Sequence, residues 1–381
     1  MKKTIALTTL LMTSQLMAAR GVTKDEIVVG SHTSLSGPAA IWGVASMNGI
    51  RLRFDEANRA GGIHKRQLKL KVEDHQYQVP RAIQAANKLI NRDGVFMMLA
   101  ALGTPMNNAV MKKQFSKKVP NLFPYSSARS MYEPFHPLKV GAFTSYYHQV
   151  RKGLNHFIKE KGYKSICVAY QDTDFGQEIK DAVADEVAEH KLSIKAETTH
   201  KPTEISFDVA VGKLKQANCQ LVVMGTIVKD TIQIKAAALK AGWKTDFLAT
   251  LASYDHIVAG VKGGITNGLY AASPFVAVEK DSKLKGARNF FASYKKTYGK
   301  DPGVAAQMGY IYAEISVKAF EKAGPNLTVE GFMKQVQSFD SIKVSIQEDP
   351  IRVNPKRDFS KDPSYLSQVV NGKWTKIKTI N

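Results

Sequence analysis

Short apolar runs alternate with longer amphipathic segments from residue 27 to residue 272, and this alternation restricts the chain to parallel sheets covered by helices. Ile27-Val28-Val29-Gly30 reads as a strand, and Met47, Ile50, Phe54 and Ala57 follow at helical spacings of three and four. Leu68 to Val72 alternates as a strand, Pro80 opens a helix to Ile90, and Val95 to Leu99 is a buried-strand run. Pro105 then opens a helix to Lys117, and Val119 to Phe123 is a further strand. A second series of the same kind begins near Ser145, with predicted strands at 165–170, 193–198, 220–225, 247–250 and 267–272. Helices are predicted between them at 149–161, 175–189, 207–216 and 229–241. Two wound sheets of similar length predict two similar domains. Ligands of such sheets bind at the C-terminal strand edge, which in the first series carries the loops 31–37, 74–79, 101–104 and 125–129.

The rest of the chain is helical at 283–298, 304–323 and 328–336, with Gly324-Pro325 as a stop. It closes on a hairpin, Tyr365 to Val370 and Lys373 to Ile377, about Asn371-Gly372, a strong type I′ turn signal. If the helices rejoin the first domain and the hairpin the second, lobe 1 comprises residues 22–144 and 274–340, and lobe 2 residues 145–273 and 341–381. The chain then passes between the lobes three times. Three parallel passages make a hinge with a restricted opening motion.

The N-terminus reads as a cleaved export signal over residues 1–19: Lys2 and Lys3, an apolar run to Met12, then Ala18-Ala19. That run is too short to span a bilayer and no later stretch reaches that length, so a periplasmic, soluble protein is expected. Removing the two lysines lowers the formal net charge from +21 to +19. The Lys and Arg residues are scattered as on solvated helix faces, so no nucleic-acid partner is expected. Export would permit a disulfide between the two cysteines, Cys167 and Cys219, but they lie in or beside apolar strand runs, which favours free or buried thiols. No metal site and no cofactor are expected.

One stretch stands out chemically. Ser34-Leu35-Ser36-Gly37-Pro38-Ala39-Ala40-Ile41-Trp42-Gly43 follows the first strand and opens the first helix, with Ser36 as a candidate N-cap and Pro38 in the first turn. Free N–H groups, serine hydroxyls and a large aromatic come together there, which suits a small ligand with an anionic group.

Leu35 to Gly43, Gly103-Thr104-Pro105, Val119-Pro120-Asn121-Leu122-Phe123-Pro124-Tyr125-Ser126-Ser127-Ala128, Tyr170 to Gly176 and Ala241-Gly242-Trp243 occur in this order along the chain. In this order and spacing the sequence resembles the type I periplasmic substrate-binding proteins of ABC transporters, the leucine/isoleucine/valine-binding type. The resemblance implies two Rossmann-like, doubly wound α/β lobes joined by a three-segment hinge that close on a ligand. It further implies that Gly103, Thr104, Ser126 and Ser127, helped by Ser34 and Ser36, hold a ligand carboxylate, and that Trp42 covers the ligand. From the second lobe, Tyr170 is the expected contact, with Asp172 a candidate for an amine. The expected partners are a small-molecule ligand and the membrane permease of an ABC transporter, with the binding protein itself a monomer.

One departure bears on the ligand. Amino-acid binders of this type often carry an acidic residue just past the strand matching 247–250, where it pairs with the ligand ammonium. Here the segment reads Thr250-Leu251-Ala252-Ser253, so Leu251 faces the ligand position and the nearest acids are Asp172 and Asp255. An enclosed ammonium without a partner costs several kcal/mol. The expectation therefore moves toward a carboxylate with an apolar or aromatic remainder, an aromatic or short-chain acid, with branched-chain and other amino acids as the alternative.

Enzyme motifs are absent: there is no G-x-S-x-G, Walker A, H-E-x-x-H, Cys-x-x-Cys or G-x-G-x-x-G pattern. His32 and His75 follow the first two strands and could approach the cleft, but they have no catalytic partner in the sequence. A ligand-sensing module for a membrane receptor is the alternative function, and an enzyme on the same fold a more remote one.

Overall fold

The computed structural model describes residues 19–381, so the expected export signal falls outside the described residues except for Ala19. In chain order, β1 (Glu26–Thr33), α1 (Ala40–Arg59), β2 (Gln67–Asp74), α2 (Val79–Asn87), β3 (Met97–Leu99), α3 (Thr104–Ser116), β4 (Asn121–Leu122) and β5 (Lys139–Val140) build a first layer system. Its sheet has the order β2-β1-β3-β4-β5 and is parallel throughout. The second comprises α4 (Tyr146–Lys161), β6 (Ile166–Gln171), α5 (Asp174–Glu189), β7 (Ile194–His200), α6 (Asp208–Gln216), β8 (Leu221–Gly225), α7 (Val228–Lys240), β9 (Asp246–Thr250), the single-turn α8 (His256–Ala259) and β10 (Tyr270–Ser273).

Three helices follow, α9 (Lys285–Tyr298), α10 (Val304–Ala323) and α11 (Val329–Gln337), and then the hairpin β11 (Ser364–Val370) and β12 (Lys373–Ile380). Helix α10 lies along α1 in the first unit, and nearly every residue from Val304 to Phe320 is buried. The two helices approach so closely that a Cβ on Gly49 would lie 2.1 Å from the Ala306 carbonyl oxygen, and one on Gly309 2.2 Å from that of Ser46. The hairpin joins the second sheet antiparallel and extends it to seven strands, β12-β11-β10-β9-β8-β6-β7. Asn371 and Gly372 both take positive φ, 49° and 77°, as a type I′ turn requires.

The chain passes between the sheets three times, from β5 to α4, from β10 to α9 and from α11 to β11. The first and third passages are bonded to one another: the buried Arg357 guanidinium, paired with Asp362 at 2.8 Å, donates to the Ala142 carbonyl at 2.9 Å, and the Thr144 hydroxyl donates to the Phe359 carbonyl at 2.8 Å. They lie at the β5 and β10 to β11 sides of the sheets, so β2 and β7 border the opposite, open side. Strand order reverses between β1 and β3 in the first sheet and between β6 and β8 in the second. The C-terminal ends at these reversals are where such sheets take ligands.

The two cysteines correct the expectation of free thiols. Cys167 in β6 and Cys219 before β8 form a disulfide, with Cα atoms 5.8 Å apart. Both are buried, and a strand cysteine facing apolar neighbours has the same local pattern in sequence whether bonded or not. The bond spans a sequence separation of 52 and on a chain-entropy estimate stabilises the fold by about 4 kcal/mol. Cys167→Ala combined with Cys219→Ala is therefore expected to lower the urea midpoint clearly, while spectra of the folded protein stay unchanged; an unaltered midpoint would show the bond to be without consequence.

Candidate functional site

The cleft between the two C-terminal edges holds a pocket whose walls come from both units. From the first unit it is lined by Trp42 of α1, Tyr77 past β2, Gly103 and Thr104 at the start of α3, and Tyr125, Ser126 and Ser127 past β4. From the second come Tyr146 at the start of α4, Phe175 of α5, Ile227 past β8, and Leu251 and Ala252 past β9. Met308 of α10 closes the back. The space between these walls is small, which suits a small-molecule ligand and excludes a long peptide.

The polar groups gather on the first unit's wall. The Thr104 and Ser126 hydroxyl oxygens are 2.7 Å apart, and the Ala128 N–H donates to Ser126 Oγ at 3.2 Å. One hydroxyl proton is taken up by the contact between Thr104 and Ser126, so the other is left for an acceptor in the cleft. Gly103 takes φ 98°, and a Cβ there would lie 2.7 Å from Met106 Sδ and 3.3 Å from the Tyr77 ring, so only glycine brings the α3 N-terminus this close. A thirteen-residue helix starting at Thr104 directs its positive end at the same place.

The remaining walls are apolar or aromatic, and no Asp, Glu, Lys, Arg or His lines the pocket. The three lining tyrosines stay neutral: burial pushes the Tyr77 and Tyr125 phenols far up, and that of Tyr146 up to about 12. An anion held here is held by neutral donors, which avoids desolvating a counter-ion. Among the described residues no group of three or more His, Cys, Asp or Glu is placed to hold a metal ion.

Of the residues singled out by sequence, Trp42, Gly103, Thr104, Ser126, Ser127 and Leu251 come together around the pocket. Ser36, Tyr170 and Asp172 do not line it. Ser36 is not the helix cap either, since α1 begins at Ala40. Its hydroxyl donates to Asp74 Oδ2 at 2.6 Å, and the N–H groups of Leu35, Ser36 and Gln76 converge on Asp74 Oδ1 at 2.9, 3.4 and 2.9 Å. The anion of this loop is thus a side chain of the protein. Burial raises the Asp74 carboxyl, but these four hydrogen bonds outweigh it and hold it below the usual carboxylate range. Ser34 likewise turns inward, its hydroxyl donating to the Ser36 carbonyl at 2.6 Å.

Tyr170 lies on the α5 face of its strand, with the Lys180 ammonium 5.7 Å from its ring centre. The next residue, Gln171, points the other way and meets the Tyr77 hydroxyl across the cleft at 3.4 Å. Asp172 is exposed, and its N–H donates to the His200 carbonyl. Asp255 is committed to structure: it caps α8 through the Ile257 N–H, accepts the Val304 N–H at 3.0 Å and contacts His256 Nδ1 at 2.8 Å. Neither acid takes the place of the residue missing at Leu251.

The sequence reading did not single out Tyr77, Tyr125, Tyr146, Phe175, Ile227 and Met308 as site residues. Tyr77, Tyr125 and Ile227 lie two or three residues past a strand's C-terminus, a position that is itself a usable signal. Tyr146 and Met308 arrive through the interlobe passages and carry no local one. His32 and His75 lie buried below the pocket with ring centres 5.6 Å apart. In neutral His75, Nε2–H donates to the Leu102 carbonyl at 3.1 Å and Nδ1 accepts the Tyr77 N–H at 3.0 Å.

This fold and cleft define a two-lobed ligand-binding protein. The sequence profile described as periplasmic binding protein matches residues 26–373, and the chain belongs to that family. It is 23% identical over 311 residues to the leucine-, isoleucine-, valine-, threonine- and alanine-binding protein of Pseudomonas aeruginosa, covering 81% of each chain. Among solved structures, a fatty acid ABC transporter substrate-binding protein from Thermomonospora curvata superposes with a TM-score of 0.84 at 20% identity, covering 96% of this chain and 94% of that one. A branched-chain amino acid transporter substrate-binding protein from Streptococcus pneumoniae, in complex with isoleucine, gives 0.75 at 18%, covering 93% and 99%. These structures share the fold while their named ligands differ, so ligand class must be argued from the pocket. The family's members are substrate-binding proteins, and no helix among the described residues is long and apolar enough to cross a membrane.

Proposed function

We propose that this chain is the exported, extracytoplasmic binding component of an ABC transporter, and that it delivers to the permease a small monocarboxylate whose remainder is apolar or aromatic and carries no ammonium. The lining of the pocket supports this reading. Hydroxyls and a helix N-terminus on one wall suit a carboxylate, and aromatic and aliphatic side chains around the rest, with no acid among them, suit an uncharged body. The ligand docks on Thr104, Ser126 and Ser127 and stabilises the closed arrangement in which Phe175, Ile227 and Leu251 cover it. The ligand shifts this equilibrium only by the difference in its affinity for the open and closed forms.

Ser126→Ala is the informative variant. Calorimetric titration with 4-methylpentanoate and 3-phenylpropanoate is expected to show affinity reduced about tenfold or more, the worth of a hydrogen bond to a charged group. The empty protein should lose only about 1–2 kcal/mol of stability, from the Ala128 N–H and Thr104 hydroxyl that Ser126 Oγ also meets. Trp42→Ala is less clean, because Trp42 packs edge-on against Tyr125 and is only 8% exposed, so its removal also costs about 3 kcal/mol of stability. Unchanged carboxylate binding by Ser126→Ala, or no carboxylate raising the melting temperature of the parent protein, would overturn the reading.

A further inference from the structure

Direct hydrogen bonds already join the two units across the cleft, outside the groups that line the pocket. Asn108 of α3 donates to Asp174 of α5 at 2.7 Å. One turn further along α5, the Glu178 carboxylate receives the Arg129 backbone N–H at 2.9 Å and the Arg129 side-chain Nε–H at 3.3 Å to each oxygen. The guanidinium carbon lies 3.8 Å from the centre of the Tyr147 ring at the start of α4, with Asp181 at 4.0 Å from its Nη2. The Glu178 side chain is only 10% exposed.

We propose that Arg129 and Glu178 form a closure latch: positioning residues that stabilise the closed arrangement independently of ligand and, through it, set how long a ligand stays. The proposal extends the binding-protein reading above to residues that do not touch the ligand.

The latch acts on the ligand site through the chain itself. Arg129 follows Ser126 and Ser127 in one loop, and that loop is stiffly attached to the first sheet. Ala128 N–H holds Ser126 Oγ, Met131 N–H holds the Ala128 carbonyl, and the Lys139 ammonium of β5 donates to the carbonyls of Ser130 and Glu133 at 2.9 and 3.0 Å. On the other side, Phe175 and Glu178 are three residues apart and share one face of α5. Closure therefore brings the apolar wall at Phe175 and the latch at Glu178 against the same loop in one movement. Opening separates Arg129 and Glu178 into water, where each is well solvated.

Burial raises the Glu178 carboxyl and the Arg129 contacts oppose the rise. Removing the Arg129 side chain thus leaves a carboxylate that is enclosed on closing with the backbone N–H of residue 129 as its remaining donor and no counter-charge, a penalty confined to the closed form. A tenfold shift in the closed-to-open ratio appears as up to about a tenfold change in apparent affinity.

Spin labels on Ile83→Cys of α2 and Ile205→Cys beyond β7 test the latch, since both positions are exposed and flank the open side. The native cysteines are disulfide-bonded and do not take label. In the ligand-free protein, Arg129→Ala is expected to move the interlabel distance distribution to longer values, and Arg129→Lys to restore most of it. Adding Glu178→Ala to Arg129→Ala should cause no further lengthening. Stopped-flow release of 4-methylpentanoate should be about tenfold faster in Arg129→Ala. If Arg129→Ala fails to fold, Glu178→Gln carries the same distance test.

Coincident ligand-free distances in the parent and these variants would overturn the latch. Because those distances need no ligand, a failure of 4-methylpentanoate to bind would count against the ligand reading while the latch is judged on the distances alone.

Discussion

Leucine is expected to bind this protein about a hundredfold or more weakly than 4-methylpentanoate, which has the same skeleton without the amino group. The same order is expected for phenylalanine against 3-phenylpropanoate. Each pair keeps the carboxylate and the apolar body and changes only the ammonium. In the pocket that ammonium would face Leu251, Ile227 and Phe175, while Asp255 is bound to α8 and the Val304 N–H and Asp172 lies outside. Enclosing an unpaired ammonium costs about 3 kcal/mol or more even after relaxation, which corresponds to the hundredfold figure. Isothermal titration of the four compounds decides the point. Leucine binding as tightly as 4-methylpentanoate would mean that the closed cleft supplies a partner for the ammonium, and the monocarboxylate reading would fall.

Acid should destabilise the protein well above the range in which carboxylates titrate. Burial, and next its neighbour His75, hold His32 down to about 3, and burial holds His75 down to about 4, only partly opposed by the Leu102 carbonyl and Asp74. Both folded values lie below the ordinary 6.5, so between these limits the unfolded chain binds protons that the folded chain refuses. Stability is therefore complete above about pH 6.5 and is lost as the pH falls, by about 2 kcal/mol for each ring at pH 5 and about 3 at pH 4. Protonating His75 Nδ1 would also displace the Tyr77 N–H it accepts, and Tyr77 lines the pocket. Urea unfolding at pH 7.5, 5 and 4 measures the loss, and His32→Leu should remove about half of it. Equal stability at pH 7.5 and 4 would show that these rings accept protons without unfolding the first unit.

Much of the architecture was legible in the chain because strand and helix periodicities are local properties. The helix opened by Pro105 and the Asn371-Gly372 hairpin take the forms their residues predict, and the run Val95 to Leu99 holds a strand that begins only at Met97. β5 escaped, since its two residues, Lys139 and Val140, make no run at all. Family resemblance located Gly103, Thr104, Ser126 and Ser127, and the structure places all four on one wall. It pointed equally to Ser36 and Tyr170, which the structure turns elsewhere. Ser36 is bound by Asp74, 38 residues away, and the strand pleat presents Gln171 rather than Tyr170 to the cleft.

By itself, then, the sequence determined two wound sheets, the loops at their C-terminal edges and the absence of an acid at Leu251, since each depends on residue type and short spacing. Only the tertiary structure decided which edge residues meet. The pairing of Cys167 with Cys219, the entry of Tyr146 and Met308 into the pocket and the contact of Arg129 with Glu178 join residues far apart in the chain. Such contacts follow from how β-strands, helices and lobes approach one another, and no local periodicity encodes that approach.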